Sequence, residues 1–356
     1  MVVRDAQVVR AMTYVAASDQ VMAEVLGVLS RKRPVFAPVP VGNGQYRLEG
    51  AAEWEAGRHT VGPYRTVEPL KELVFPPREF LGKLWAEEER NRIEERMVVG
   101  VKNCDLSALR IHDYVFRDSD PEDPRYTALR RSTLIVSADC MDCLPVCFCP
   151  AVGEQPYPKG GFDINLSRVG EAWLVEAGSE KGDLALAAAR DLMEEATAEM
   201  VRRRDDARQA MHARVERQAR ESGLVPGSDF QVAFRKSFES DLWADFAGDC
   251  VECGACNFVC GTCHCFMLGD GYAEDNLPAR VREWDSCLFR NFARVAGGAN
   301  PREHRAARLR NRFDKKFNFF VEVLGAPACG GCGRCIEACM GKIDIREVLR
   351  RMQDEG

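Results

Sequence analysis

Eight of the sixteen cysteines in this 356-residue chain form two runs of identical spacing. The spacing C-x2-C-x2-C-x3-C is typical of proteins with two 4Fe-4S clusters, where three thiolates of a run bind one cluster and the fourth binds the other. The pattern therefore predicts two ligand sets. The first is Cys250, Cys253, Cys256 and Cys339, and the second is Cys329, Cys332, Cys335 and Cys260.

Structural zinc is the main alternative for these eight cysteines. Zinc sites usually use two C-x-x-C pairs, or one pair with histidines, so runs of three evenly spaced cysteines favour iron–sulfur clusters. Glycines inside the runs, such as Gly254 and Gly331, allow the tight loops that clusters need. The proline that usually follows the fourth cysteine is replaced by Gly261 and Met340, which changes the exit turn and leaves the number of ligands unchanged.

Five further cysteines lie in the first half of the chain. The set Cys104, Cys140, Cys147 and Cys149 is a candidate for a third cluster, with Cys143 as an alternate ligand. Ordinary buried thiols, or a redox disulfide formed by a close pair, are the alternatives.

The case for a third cluster depends on the elements around these cysteines. Met97–Val101 and Thr133–Ser137 are apolar, β-branched runs typical of strands. We expect a helix between them, capped by Asp105. Its buried face would consist of Leu106, Leu109, Ile111 and Val115. Cys104 and Cys140 would then lie just beyond the ends of neighbouring parallel strands, where α/β sheets usually build their sites.

The last three cysteines are Cys263, Cys265 and Cys287. We favour their packing around the second cluster as inert thiols, because free cysteine is among the most buried residue types. A further centre with His264 as fourth ligand is the alternative.

Apolar alternation and turn residues predict the remaining architecture. Further strands are expected at Val35–Pro40, Gln45–Leu48 and Trp173–Glu176, with Gly42–Gly44 as a hairpin turn and loops at Phe75–Arg78 and Cys149–Lys159. An Ala-, Arg- and Glu-rich stretch predicts one long helix over Asp183–Ser222. The insert Gly261–Ala328 between the two runs is also expected to be helical.

The fold class predicted from these elements is α+β. It divides into a mixed α/β domain over residues 1–182, a helical arm over 183–228, and an alpha-helical ferredoxin-like dicluster domain over 229–356. Within the last of these, the basic stretch Arg302–Lys316 is expected to be a solvated helix face. The alternative is that its charges stabilise a reduced cluster or contact an acidic partner.

Composition excludes several classes of function. With 49 basic and 55 acidic side chains, the chain has a small negative net charge and therefore no overall positive electrostatic field to attract nucleic acid. Met1–Arg10 has no long apolar run and no segment is apolar enough for a membrane span, so a cytoplasmic location is expected. No nucleotide-binding fingerprint is present, which assigns NAD(P) and FAD to a partner.

Six segments carry a resemblance to a known family. They are VVGVKNCDLSALRIHDYVF, STLIVSADC, CFCPAVG, EAGSEKGD, WDSCLFRNFARVAGG and CGGCGRCIEAC. From about Val67 to the C-terminus the chain resembles the beta subunits of cytoplasmic sulfhydrogenases. It is also similar to iron–sulfur subunits of anaerobic sulfite reductases and to those beside heterodisulfide reductases.

The resemblance implies a dicluster ferredoxin domain working beside a flavin protein similar to ferredoxin–NADP reductase. The expected function is electron transfer between that flavin/NAD(P)H-linked partner and a terminal redox subunit of the hydrogenase, sulfite reductase or heterodisulfide reductase type. Such a chain would have no substrate-converting site of its own. The alternative is a reductase of a sulfur compound or disulfide, with the extra cysteines as its catalytic centre.

Overall fold

A computed structural model describes residues 13–31, 33–83, 93–272 and 276–355. Residues 1–12, which include the Met1–Arg10 segment and the start of the predicted first domain, lie outside the described residues. The strands are β1 (Thr13–Ala16), β2 (Val35–Gly42), β3 (Gln45–Ala51), β4 (Arg78–Lys83), β5 (Arg96–Val101), β6 (Thr133–Ala138), β7 (Ile164–Val169), β8 (Ala172–Ala177), β9 (Glu194–Glu195), β10 (Phe266–Tyr272) and β11 (Pro278–Trp284).

The α-helices are α1 (Asp19–Ser30), α2 (Lys71–Val74), α3 (Asn103–His112), α4 (Pro124–Ser132), α5 (Glu180–Ala187), α6 (Ala198–Glu221), α7 (Phe230–Lys236), α8 (Leu242–Asp249), α9 (Ala255–Phe258), α10 (Arg305–Asp314), α11 (Phe320–Leu324), α12 (Arg334–Glu337) and α13 (Ile345–Asp354). Short 3-10 turns occur at Cys149–Val152 and Arg190–Leu192, and π-helical turns at Asp113–Arg117 and Lys315–Phe319.

The larger sheet has eight strands in the order β3-β2-β5-β6-β7-β8-β1-β9. Its centre is parallel, because β5 pairs in parallel with β2 and β6, and β6 with β7. The flanking pairs are antiparallel, including the β2–β3 hairpin whose turn Gly42–Gly44 was predicted from the sequence. The ends of β5 and β6 therefore lie at the same edge of the sheet.

The central strands are buried on both faces, which explains their continuous apolar sequences. Met97 and Val99 of β5 pack into a core beneath α1 and α5, whereas Val98 and Val101 pack into a second core near α3 and α4. Residues 97 to 99 alternate between the two faces of the sheet, and a register shift between Val99 and Val101 places Val101 on the same side as Val98.

A second, three-stranded sheet has the order β10-β11-β4. Its hairpin β10–β11 lies in the insert between the cysteine runs, so the expectation of a helical Gly261–Ala328 is wrong for its first half. Arg282 of β11 reaches the buried Glu79 of β4 and also Asp123, and these ion pairs join the insert to the first half of the chain.

The single helix predicted over Asp183–Ser222 is also wrong. The helix α5 ends at Ala187, and the chain then forms a 3-10 turn and the strand β9 before α6 begins at Ala198. Pairing of β9 with Tyr14 and Val15 of β1 interrupts the helix. The long α6 follows and contacts β7 and β8.

Asp105 is not the cap of α3, which begins at Asn103 after the extended residue Lys102. Its carboxylate instead pairs with Arg334 of α12. Of the predicted apolar face, Leu106, Leu109 and Ile111 are buried, and Val115 is half-buried in the following π-helical turn.

The C-terminal part is a helical core that also includes residues from the first half of the chain. Phe313 and Phe317 pack with Trp243 of α8 and with Val348 of α13. Phe148, from the cysteine-rich loop after β6, is buried in the same core. The mixed α/β fold with a C-terminal dicluster domain is the one predicted, whereas the boundaries 182/183 and 228/229 remain predictions. Within the described ranges, no helix combines the length and apolarity needed to cross a membrane.

Candidate metal centres

The first predicted ligand set surrounds one cavity. Its four cysteines line the cavity together with Arg312, with apolar side chains that include Leu309, and with Cys335 of the second predicted set. The glycine between the second and third of these cysteines, Gly254, has φ +71°, and a Cβ there would lie 2.9 Å from the Phe289 ring. The loop can therefore curl around the cavity only with glycine at this position. The backbone N–H of Ile343 donates to the Cys339 thiol at 3.2 Å.

The second predicted set, Cys329, Cys332, Cys335 and Cys260, is also brought together. Burial raises the pKa of Cys335 to about 12, and the adjacent thiols of Cys260, Cys332 and Cys329 add to this increase. The Cys335 thiol therefore stays protonated on its own, whereas a bound metal would allow it to ionise. The backbone N–H of Gly331 donates to the Cys329 thiol. N–H···S bonds of this kind tune iron–sulfur centres.

Three cations of the basic stretch line this region on one helix face. Arg308, Arg312 and Lys316 are spaced four residues apart, and the last two are 5% and 3% exposed. Lys316 Nζ lies 3.2 Å from the Cys260 thiol and donates to Thr262 Oγ1 at 2.7 Å. The solvated face predicted for Arg302–Lys316 is therefore wrong for these three side chains.

The charge of Lys316 is retained despite its burial. Burial by itself would lower the pKa of Lys316, but the thiols of Cys260 and Cys263 raise it above the usual lysine value. No carboxylate within the described ranges forms an ion pair with Lys316. A buried ammonium group is costly unless an opposite charge compensates it, and an anionic cluster at Cys260 would supply that charge.

The second cysteine run also packs directly against the first half of the chain. A Cβ on Gly330 would lie 2.8 Å from the carbonyl oxygen of Cys104, and a Cβ on Gly331 would lie 2.4 Å from the Cα of Cys149. The backbone N–H of Phe148 donates to Gly331 O at 2.8 Å. These close backbone contacts bring the two cysteine-rich regions together.

Two arginines fix the same contact. Arg334 of α12 makes two 2.8 Å hydrogen bonds to the carboxylate of Asp105, and both side chains are buried. Arg65 donates to Cys332 O at 2.8 Å and pairs with Glu337. Neither arginine was identified from the sequence, because nothing in the local pattern shows what lies opposite a side chain.

The cysteines of the first half line a cavity of their own. Cys104 and Cys140 follow the adjacent ends of β5 and β6, as the order of strands and cysteines in the sequence predicted. Cys140, Cys143, Cys147 and Cys149 occupy the loop after β6, and they surround this cavity with Cys104 and with Cys332 of the second run. The thiols of Cys104 and Cys332 are adjacent, and this contact raises the pKa of Cys104 and lowers that of Cys332.

The remaining three cysteines pack beside Cys260. The thiol of Cys263 donates to Asn257 Oδ1 at 3.7 Å. The adjacent thiol of Cys260 raises the pKa of Cys263, and that of Cys287 raises the pKa of Cys265. Cys287 also accepts a hydrogen bond of 3.2 Å from Asn257 Nδ2. His264, the alternative fourth ligand, contacts Thr262 O at 3.1 Å through Nδ1. This arrangement fits the expectation that the three cysteines pack around the second cluster as inert thiols, which remains a prediction.

Two further lysines near the thiols were missed by sequence reasoning. Lys71 is buried against the Trp284 ring and donates to the carbonyl oxygens of Asn257 and Cys263. Lys102 is buried beside Cys104 and Cys140. Of the three buried lysines, Lys316 alone belongs to a sequence pattern that indicates burial. Arg308, Arg312 and Lys316 recur every four residues, as do the apolar residues Leu309, Phe313 and Phe317 that follow them.

No three His, Cys, Asp or Glu side chains in the described part of the chain form a group that could hold a single metal ion. In a 4Fe-4S cluster each thiolate binds a different iron, so the relevant arrangement is four thiols around one cavity. The cysteine ligands, the N–H···S hydrogen bonds and the buried cations described above fit a 4Fe-4S cluster.

Comparison with known proteins is consistent with this chemistry. Residues 249–343 match the 4Fe-4S dicluster domain family. The protein is thus an iron–sulfur protein with two 4Fe-4S clusters as its cofactors. Over 349 residues it is 30% identical to sulfhydrogenase 2 subunit beta of Pyrococcus furiosus, and the match covers 96% of this chain and 99% of the relative. The chain belongs to the family of sulfhydrogenase beta subunits, as the resemblance in its sequence predicted.

We expect Lys316→Met to lower the midpoint potential of the cluster nearest Cys260. A nearby cation stabilises the more negative, reduced form, and its removal favours the oxidised form. The shift should be on the order of 60 mV, which corresponds to a tenfold change in a one-electron equilibrium. Redox titration followed by EPR measures it. Lys315→Met, on the exposed side of the same π-helical turn, is the control, and equal shifts in both variants would contradict the role given to Lys316.

We expect Gly331→Ala to destabilise the protein more than Gly325→Ala. Both glycines have positive φ, +63° and +71°, so both alanines introduce about 1 kcal/mol of left-handed strain. Only the Gly331 Cβ would overlap another backbone, because a Cβ on Gly325 meets no atom within 4 Å. The thermal unfolding midpoint and the iron content of anaerobically purified protein measure the difference. Similar losses in the two variants would show that the contact with Cys149 is unimportant.

Proposed function

We propose that this chain is the electron-transfer subunit of a hetero-oligomeric oxidoreductase. It would connect a flavin- and NAD(P)H-binding partner to a terminal redox subunit of the hydrogenase, sulfite reductase or heterodisulfide reductase type. The observation that carries the proposal is the presence of two adjacent sets of four thiols with buried cations beside them. The relative from Pyrococcus furiosus supports it, because its name identifies it as one subunit of an enzyme. The expected cytoplasmic location remains part of this proposal.

The ligand sets are the crossed sets predicted from the spacing. We assign Cys250, Cys253, Cys256 and Cys339 to one cluster and Cys329, Cys332, Cys335 and Cys260 to the other. When bound, such clusters accept and release one electron at a time. The residues of this chain hold them, exclude water with side chains such as Leu309 and Phe313, and balance their charge through Lys316 and Arg312.

The first set is the one nearest to the protein surface. Cys253 is exposed, and its neighbours Val251 and Met340 are 60% and 72% exposed. Because electron transfer between subunits requires close approach of their centres, this exposed rim supports contact with a redox partner there. Met340 stands where a proline usually follows the fourth cysteine, so the unusual exit turn contributes an apolar side chain to the rim.

Direct reduction of a sulfur compound or disulfide at the extra cysteines is the second candidate. A cavity of about 260 Å³ beside Cys140 favours it, since a small molecule could approach the thiols from there. Three arginines line the cavity, Arg168, Arg204 and Arg208, but each is paired with a carboxylate at 2.7–3.4 Å. Their charges are therefore already balanced, and this makes the second candidate weaker.

The crossed assignment predicts which variants share a spectroscopic defect. Cys339→Ser should perturb the same EPR signal as Cys256→Ser, although the two cysteines belong to different runs. Cys260→Ser should perturb the signal affected by Cys335→Ser. If Cys339→Ser instead resembles Cys335→Ser, each run binds its own cluster and the crossed assignment is wrong.

The electron-transfer function predicts the partners and the inactivity of the isolated chain. Anaerobic purification of the tagged chain from its own host should yield a flavin-containing reductase and a terminal redox subunit, identified by mass spectrometry. The isolated chain should accept electrons from artificial donors without turning over a substrate. Substrate-dependent oxidation of the reduced, isolated chain by a sulfur compound or disulfide would favour the second candidate instead.

A further inference from the structure

We propose that the first half of the chain holds a third iron–sulfur cluster of the 4Fe-4S type, bound by Cys104, Cys140, Cys147 and Cys149. The dicluster family accounts for two clusters in residues 249–343, so this site goes beyond the proposed function. In the sequence, these four cysteines are linked only by their positions after two strands. The structure adds four independent observations.

The first observation is the shared cavity. The four thiols line one space although Cys104 lies in the first turn of α3 and the other three follow β6, more than 30 residues later. Their positions follow from the parallel pairing of β5 and β6, which places both segments at the same edge of the sheet. Cys104 is also the second residue of the ten-residue helix α3. The positive end of the helix dipole therefore faces the thiols and favours an anionic group there.

The second observation distinguishes four of the five cysteines around the cavity. Cys143 donates to Gln218 Oε1 of α6 at a distance of 3.8 Å. The same glutamine donates to the backbone carbonyl oxygens of Leu144 and Cys147, which fixes the loop against α6. Cys143 already has a hydrogen-bond partner away from the cluster, so we assign it no ligand role and use it as the control below.

The third observation is a buried lysine that forms no ion pair in the part of the chain that the structure describes. Lys102 is 1% exposed, and its Nζ donates to the carbonyl oxygens of Gly62 at 2.7 Å and Asp139 at 3.3 Å. No ion pair with a carboxylate is formed by Lys102 within the described ranges. Two neutral acceptors do not offset the cost of burying an ammonium group. An anionic cluster between Cys104 and Cys140 would do so, in the way that the cluster near Cys260 compensates Lys316.

The fourth observation is contact with the second ligand set. Cys332 lines the same cavity as Cys104, and Gly330 and Gly331 approach the backbones of Cys104 and Cys149 too closely for any side chain. A cluster here would adjoin the one bound by Cys332. This adjacency favours a redox cluster over structural zinc, because three contiguous centres extend the electron path from residues 250–260 into the first half of the chain.

The test is metal and sulfide analysis of the anaerobically purified full chain, together with EPR. Wild-type protein should contain about twelve irons and twelve sulfides, against about eight for a dicluster protein. Cys140→Ser should lose about a third of the iron and one EPR signal, whereas Cys143→Ser should match the wild type. Lys102→Met should keep its iron and shift one signal to a more negative midpoint potential, leaving the other two unchanged.

The wild-type count by itself decides whether the third cluster exists, so the test does not depend on the folding of any variant. About eight irons, with or without a bound zinc, would overturn the third cluster and leave the dicluster function intact. Equal iron loss in Cys143→Ser and Cys140→Ser would overturn the assigned ligand set. A count well below eight would instead challenge the two clusters of the proposed function.

Discussion

Balancing buried negative charge is the constraint on which this structure depends. Iron–sulfur clusters bound by four thiolates are anionic, and the protein places cations around the thiols where water cannot screen them. Lys316, Arg312 and Lys102 are all buried, and each lies beside cysteines that are candidate ligands. A lysine or arginine in a hydrophobic interior is normally unfavourable. Clusters bound at the proposed ligand sets would stabilise these buried cations, and folding and cluster binding would then be coupled.

A buried ion pair, strand pairing and apolar packing join the two halves of the chain. The buried pair of Arg334 and Asp105 lies between α12 and α3, and the hairpin β10–β11 completes a sheet with β4. Phe148 carries the cysteine-rich loop into the C-terminal helical core. The first half of the chain therefore forms part of the wall around the second predicted ligand set.

Features that are encoded by neighbouring residues could be predicted from the sequence. Features that depend on residues far away in the chain could not. The spacing of the cysteine runs and the apolar strands β5 and β6 carry their own signals, so both were identified. The hairpin β10–β11 was missed because its partner β4 lies far away in the sequence, and strand preference depends strongly on such context. The helix predicted over Asp183–Ser222 failed for the same reason, since pairing with β1 overrides local helix propensity. Charge alone suggested a solvated face for Lys316, and only tertiary structure shows that it is buried.

The crossed ligand sets that we propose would also constrain how the protein matures. Cys339 lines a cavity with Cys250, and Cys260 lies beside Cys329, so each set combines residues from both runs. During synthesis on the ribosome neither set is complete until the chain has been extended through the insert and the second run. With these ligand sets, cluster insertion would be a late step in biogenesis, and a chain interrupted within the insert would leave both clusters unassembled.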